Sequence, residues 1–325
     1  AGFSKRVSIA GARPQDSAVL LDGTATKGTD QGVPAGTSGH FLGSEGIQEF
    51  KIERNSYSAQ YGGASGGVIN VVSKAGANQF HGSVYEFHRN DVLDAANFFA
   101  NRSGLEKPPL IRNQFGFSLG GPIVKDKTFF FWNYEGYRER SSRAGERSLP
   151  VAATRLGRLP GHLDASGKFI YTPGEPAIPV PGMKPEVLPY FALWPDPSAT
   201  AVDVGDGTAR EGHTSPSSID EDYYQIRVDH NFSDSDSIFG RFTFEDSSKN
   251  KTLPVDRWTG RDFVENRFLT VEHKHIFSPT TLNTFRFGFG RRNGGAEAFE
   301  NCSACTSELR FIPDKDWQSP LGAEP

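Results

Sequence analysis

The feature that most constrains this chain is a two-residue rhythm of side chains that recurs from Phe80 onward. Phe285, Phe287 and Phe289 alternate with Arg286, Gly288 and Gly290. Tyr224, Ile226, Val228, His230 and Phe232 alternate with Gln225, Arg227, Asp229 and Asn231, and Phe115, Phe117 and Leu119 alternate with Gln114, Gly116, Ser118 and Gly120. Successive side chains of a strand point to opposite faces, so each segment has one apolar face and one polar or glycine face. Wall-type strands are expected near 79–89, 112–124, 127–139, 219–232, 237–247, 264–277 and 281–292. Their links sort by parity: long across 90–111, 140–218 and 248–263, short at 124–126, 233–236 and 278–280. An outer-membrane barrel sorts its connections in this way, with short periplasmic turns and long external loops. The competing reading is a large soluble β-sandwich, in which nothing sorts loops by length and so many Phe on one sheet face would be an aggregation hazard unless buried.

Composition agrees with this all-β reading. The 325 residues include 36 Gly and 26 Phe but 1 Met, a profile of many strands joined by turns. With 35 basic against 39 acidic residues and no long basic block, nucleic acid and anionic lipid lose support as electrostatic partners. Mean hydropathy is −0.49 and no apolar run approaches the roughly 18 residues of a spanning helix. A membrane strand needs only about 9 to 11 residues with alternate apolar side chains. Both ends read as cut: the chain opens at Ala1 without a signal segment and stops at Pro325 in loop chemistry.

Before Phe80 the texture is polar, small and broken by turn signals such as Asp22-Gly23. Short strands are expected at Ser17 to Leu21, Ile47 to Arg54 and Gly67 to Ser73. The run YGGASGGVINVVSK, Tyr61 to Lys74, holds Gly62, Gly63, Gly66 and Gly67 but fits no phosphate-binding spacing, and Val68, Ile69, Val71 and Val72 continue it as a strand where a phosphate loop requires a helix. From Ser141 to Ser218, the prolines between Pro173 and Pro197 deny too many ladder hydrogen bonds for a wall strand. A long external loop with at most one short helix near Pro185 to Trp194 is expected there, and it is the first place to look for ligand selectivity.

Other constellations are weaker. Cys302 and Cys305 lack a second Cys pair or nearby His, which favours a local loop disulfide over a metal or redox pair. His273 and His275 share a strand face without an identifiable third ligand, as lumen or interface histidines do. Asp220, Glu221 and Asp222 read as a solvated acidic run rather than a cation site. No nucleophile, acid/base pair, cofactor site or metal site rises above chance, so the chain is not expected to be an enzyme.

The block IQEFKIERNSYSAQYGGASGGVINVVSKAGANQFHGSVYEF resembles the end of the plug and the first barrel strand of TonB-dependent outer-membrane transporters. RNDVLDAANFF, RNQFGFSLGGPIVKDKTFFFWNYEGYRER, QIRVDHNFSDSDSIFGRFTF and HIFSPTTLNTFRFGFGR resemble the Oar-like subgroup, often found with a carboxypeptidase-regulatory-like domain upstream. The resemblance implies that 1–78 is the C-terminal part of a plug lodged in a barrel lumen and 79–325 the first wall strands, about seven of a larger barrel, with 141–218 an external loop. It implies structural roles for Tyr61, Gly62, Gly63, Gly66, Gly67, Asn70 and Lys74, the glycines letting a plug strand pass close to the wall and 74–79 acting as hinge. The implied setting is the outer membrane of a Gram-negative-type bacterium, in contact with its lipid. The implied partners are an extracellular ligand and the TonB complex, which supplies energy through a segment absent from this sequence. A non-transporting adhesion barrel of the Oar-like type and a soluble β-rich carbohydrate-binding or hydrolytic protein are the alternatives.

Overall fold

The computed structural model describes residues 8, 9, 11, 13, 16–26, 36–38, 43–54, 66–96, 98, 101, 107–252 and 258–300. They form two principal sheets and a small third one. The first contains β1 (Ser17–Leu21), β2 (Thr24–Ala25), β3 (Ile47–Arg54) and β4 (Gly67–Ser73) in the order β2-β1-β4-β3. The bounds of β1, β3 and β4 are those expected from the sequence. β1 runs parallel to β4, while β2 and β3 pair antiparallel to their neighbours.

The wall begins with β5 (His81–Asn90), β6 (Leu110–Val124) and β7 (Thr128–Pro150). A small insertion follows, made of β8 (Arg158–Leu163), β9 (Phe169–Tyr171), β10 (Ala177–Pro179) and β11 (Val202–Asp203). The wall resumes with β12 (Thr208–Ser233), β13 (Asp236–Thr252), β14 (Trp258–Ser278) and β15 (Thr281–Glu300). Its seven long strands lie in chain order, β15-β14-β13-β12-β7-β6-β5, every pair antiparallel, with β11 added along β12. The sheet is open at β5 and β15 among the described residues. None of β1–β4 joins its ladder, so the N-terminal sheet is a separate unit held to the wall by side chains and close backbone approach.

That unit defines the inner face of the wall. Arg227 donates to Ser73 Oγ at 2.9 Å and Gln225 to the Gly46 carbonyl at 3.2 Å, which sets the odd positions of β12 inward. Tyr224, Ile226 and Val228 therefore point outward, and all three are exposed. The register carries this across the sheet: Phe117 opposes Tyr134, Tyr134 opposes Tyr224, and Tyr224 opposes Phe244. On β14 and β15, Phe287 opposes Val271 and Phe289 opposes Leu269 on the outer face, while Arg286 meets Glu272 on the inner face. The expected sorting of Phe115, Phe117, Phe285, Phe287 and Phe289 against Arg227, Asp229 and Arg286 is thus the observed one.

The strands run much further than expected. At about 3.3 Å per residue, the 23 residues of β7 reach roughly 75 Å, well over the ~30 Å hydrocarbon core even with a tilt near 40°. The expected loop 141–218 is accordingly corrected: 141–150 and 208–218 are ladder, and the connection proper is 151–207. Opposite charges hold this polar extension. Arg147 faces Glu211 at 2.7 Å, and Arg138 and Arg140 reach Asp222 and Asp220 at 2.7 and 2.8 Å. The connection is also more ordered than expected. Besides the 3-10 helix Pro185–Leu193 it contains a short α-helix, Ala152–Arg155, and the sheet β10-β8-β9. Arg155 ties it down by donating to the carbonyls of Pro150, Phe191, Trp194 and Pro195.

Phe287 lies about halfway along the part of β15 that crosses the bilayer, so replacing it with Arg places a charge toward lipid and should lower unfolding stability by about 2 to 4 kcal/mol. Ser237→Arg on the inner face should cost clearly less. Denaturant unfolding of the bilayer-inserted full-length protein measures both.

Candidate functional site

The chemistry concentrates where the N-terminal sheet meets the wall. Asp22 and Gly23 form the two-residue turn between β1 and β2 with φ of 49° and 73°, the positive values that favour Asp-Gly in such hairpins. This turn thrusts the Asp22 carboxylate at the wall. There Arg241, fully buried, places Nε 2.6 Å from Asp22 Oδ2, and Arg227 comes to 3.7 Å of Oδ1. Asp22 also accepts from Ser73 N at 2.9 Å and Ser73 Oγ at 2.8 Å, which joins the turn to the end of β4. Arg241 donates to Thr243 Oγ1, Thr270 Oγ1 and the Leu21 carbonyl. Two buried charges are tolerable only because each is paired and hydrogen-bonded on several sides.

Further out along the wall, acidic side chains capture backbone of the N-terminal unit. Glu135 accepts from Gly43 N at 2.8 Å, and Glu221 accepts from Ser38 N at 3.2 Å and from Ser247 Oγ at 2.8 Å. Thr37 Oγ1 lies 2.6 Å from Ser247 Oγ. From the side of the N-terminal unit, Glu45 accepts from Ser83 Oγ of β5 and pairs with Lys74 at 3.6 Å. Between the two units lies a cavity of about 520 Å³ lined by Asp22, Asn70, Arg227, Glu272 and Arg286 among others.

The sequence-predicted residues distribute unevenly over this interface. Tyr61, Gly62 and Gly63 lie outside the described residues, as do Cys302 and Cys305. Gly66 donates to the Asp16 carbonyl within the N-terminal unit. A Cβ on Gly67 would meet Ile9 Cγ2 at 2.7 Å and the Glu53 carbonyl at 3.0 Å, so its close approach is within the N-terminal unit rather than to the wall. The glycines that touch the wall are others. Gly43, at φ 82°, leaves no room for a side chain beside the Tyr223 ring, and Gly76 crosses the backbone of Phe130 and Gly121 in the link to β5. Lys74 sits at the start of that link and donates its N–H to the Gly46 carbonyl. Asn70 lines the cavity with a buried Oδ1 that has no hydrogen-bond partner among the described residues.

The remaining candidates resolve by parity. Asp220 and Asp222 point outward to arginines, whereas Glu221 is fully buried at the interface, so the three form neither a solvated run nor a cation site. His273 and His275 lie on the outer face and share Asp236, at 2.6 and 3.4 Å. Sequence reasoning missed Asp22, Glu135, Glu221 and Arg241 as functional contacts. For the wall residues the available signal was a polar side chain at successive inward positions, Asn133 and Glu135 on β7, Gln225, Arg227 and Asp229 on β12, and Arg241, Thr243, Glu245 and Ser247 on β13.

Residues 72–320 match the family model of the outer membrane beta barrel domain, and the chain belongs to that family. It is 33% identical over 133 residues to the TonB-dependent transporter Oar of Myxococcus xanthus, a match covering 38% of this chain and 12% of that protein. It is 26% identical over 166 residues to the probable TonB-dependent siderophore receptor PirA of Acinetobacter baumannii, covering 48% of this chain and 20% of that protein. The crystal structure of the siderophore receptor PirA from Acinetobacter baumannii aligns with a TM-score of 0.37 at 14% identity, over 88% of this chain and 38% of that one. The chain therefore spans well under half the length of these relatives. Its place is the outer membrane of a Gram-negative bacterium, consistent with the apolar outer face of the wall.

Two outcomes follow from the contacts. Arg241→Gln removes the nearer of the two guanidiniums at buried Asp22, leaving Arg227 at 3.7 Å, and should destabilise docking of the N-terminal sheet by about 3 kcal/mol, read as faster amide exchange in β1 and β4. Glu211, on the extension well beyond the bilayer, has its carboxyl lowered from 4.5 to about 2 by hydrogen bonds from Ser198 and by Arg147. A depressed carboxylate stabilises the fold above its unfolded value, and that contribution fades as pH falls from about 4.5 toward 2. Protection of the Ser198 amide should drop over that window and not between pH 5 and 8.

Proposed function

We propose that this chain is the C-terminal part of the plug and the first part of the barrel wall of a TonB-dependent outer-membrane receptor that takes up a ligand from outside. The observation that carries the reading is the nature of the contact between the two units. It is built from ion pairs and hydrogen bonds, Asp22 with Arg241, Glu135 with Gly43 N and Glu221 with Ser38 N, rather than from a continuous apolar core. Polar contacts of this kind exchange for water without exposing a large apolar surface, so a mechanical pull can separate them and water can reseal them. The outer leaflet has no nucleotide energy source. Work delivered to the plug by an inner-membrane partner is the remaining means of driving release inward.

The relatives named as siderophore receptors supply the first probes to try, namely iron-loaded siderophores. External capture falls to the extension built on β7 and β12 with its insertion 151–207, which stands beyond the bilayer. Deleting 160–200 should leave barrel insertion intact and change ligand binding.

The decisive test uses Thr37→Cys with Ser247→Cys, whose hydroxyls lie 2.6 Å apart across the interface. In the full-length protein, oxidation should abolish proton-motive-force-dependent uptake of a radio-iron siderophore that the wild type accumulates, while surface binding persists, and reduction should restore uptake. Unchanged energy-dependent uptake in the fully cross-linked protein would remove movement of this sheet from the mechanism. A wild type that accumulates no probe in an energy-dependent way would favour the adhesion-type barrel.

A further inference from the structure

The seat of residues 36–38 on the wall holds more carboxyl oxygen than its donors satisfy. Glu221 of β12 is fully buried and Glu245 of β13 is 5% exposed. They are diagonal neighbours on the inner face, because Glu221 opposes Ser247 and Glu245 opposes Tyr223, and their carboxyl groups lie within hydrogen-bonding reach of each other. Glu221 Oε2 accepts from Ser38 N and Ser247 Oγ, and Glu245 Oε2 accepts from Asn266 Nδ2 at 2.6 Å. Glu221 Oε1 is buried as well, yet no donor among the described residues reaches it. A carboxylate oxygen removed from water without a donor is costly, and two carboxylates in contact resist ionising together.

The surroundings do not supply what is missing. β7 presents Glu135 and Tyr137, β12 Tyr223, β13 Arg241, β14 the neutral Asn266, and β15 Arg292. Glu135 already has a donor on each oxygen, Gln114 Nε2 at 2.6 Å and Gly43 N at 2.8 Å. Arg241 is committed to Asp22 at 2.6 Å. Arg292 is then the cation left to face two carboxyl groups. Residues 36–38 bring main-chain N–H groups and hydroxyls but no charge. They lie directly on the pair, since a Cβ on Gly36 would meet the Glu221 carboxyl at 2.2 Å.

We infer that Glu221 and Glu245 share one proton and that this acid–carboxylate pair is a pH-sensitive clamp on residues 36–38. The proton held by Glu245 is donated to Glu221 Oε1, which leaves Oε2 to accept from Ser38 N and Ser247 Oγ. When the loop lifts, water reaches both carboxyl groups and the reason for sharing disappears. The docked state therefore binds one proton more than the lifted state, and docking weakens as pH rises. The inference rests on the contact between the two units and is independent of any transport activity.

The test is residue-resolved hydrogen exchange of the full-length protein in detergent micelles from about pH 5 to about pH 8, with each rate corrected for its intrinsic pH dependence. Protection of the Ser38 amide should fall as pH rises, by up to about tenfold per pH unit, the slope of one proton. The Asp22 amide, bonded to the Val71 carbonyl inside the N-terminal sheet, should stay constant. Glu245→Gln puts an amide N–H in place of the shared proton, so Ser38 protection should lose its pH dependence. The protonated-carboxyl band of the wild type in the infrared at neutral pH should be lost with it. Glu221→Gln should have the same two effects. Heat-dependent gel mobility confirms that each variant is folded. If neither folds, the Ser38 slope of the wild type, measured with and without added calcium, carries the test. Flat Ser38 protection in the wild type, a wild-type slope or an intact infrared band in either folded variant, or protection that follows calcium rather than pH would each overturn the inference.

Discussion

Everything in this structure depends on the opposite demands made on the two faces of one strand. Lipid on one side accepts no unpaired charge, and a polar lumen on the other rewards it, so each wall strand must alternate without slipping. A shift of one residue on β12 would send Arg227 and Asp229 into lipid and Tyr224, Ile226 and Val228 against the N-terminal sheet. The register Tyr134, Tyr224, Phe244 outward and Asn133, Gln225, Thr243 inward is therefore fixed by solvent as much as by hydrogen bonds.

The inner face uses that polarity to hold a second unit without merging with it. Asp22, raised by its Asp-Gly turn, is among the described residues the one carboxylate that reaches Arg241 and Arg227 together, and it also receives the end of β4 through Ser73. The wall answers with Glu135 and Glu221 higher up, each accepting from main-chain N–H groups. Because main-chain groups make these contacts, the loops at 36–38 and 43–46 must approach closely, and glycine at 43 permits it. The result is a unit specified in position by charge and hydrogen bonding and separable from the wall at modest apolar cost.

The extension follows a different rule. Beyond the bilayer no solvent difference sorts the two faces of β7 and β12, and ion pairs reinforce the ladder, Arg147 directly opposite Glu211 and Arg140 diagonally to Asp220. Glu211 also receives Ser198 N from the insertion, so the same carboxylate that joins the strands anchors what they carry. Charge thus takes over from hydrophobic patterning where the membrane ends.

Although the expected long link 248–263 is mostly ladder, with β13 running to Thr252 and β14 starting at Trp258, the sequence by itself determined the period of the wall, its three short turns, the two faces of β6, β12 and β15 through the bilayer, and the bounds of β1, β3 and β4. Those are local consequences of alternation, β-branched runs and Asp-Gly turns, and each is written within a few residues. It did not reveal that β7 and β12 continue through 141–150 and 208–218, because a strand with charge on both faces has no apolar period to read. Nor did it reveal which glycines touch the wall: the run ending at Gly67 stood out by composition, yet Gly43 and Gly76 make the approach. The meeting of Asp22 with Arg241, more than two hundred positions away, was decided only by tertiary structure. A buried ion pair needs one specific docking of two separately folded sheets, and no local pattern encodes which inward arginine will face the turn.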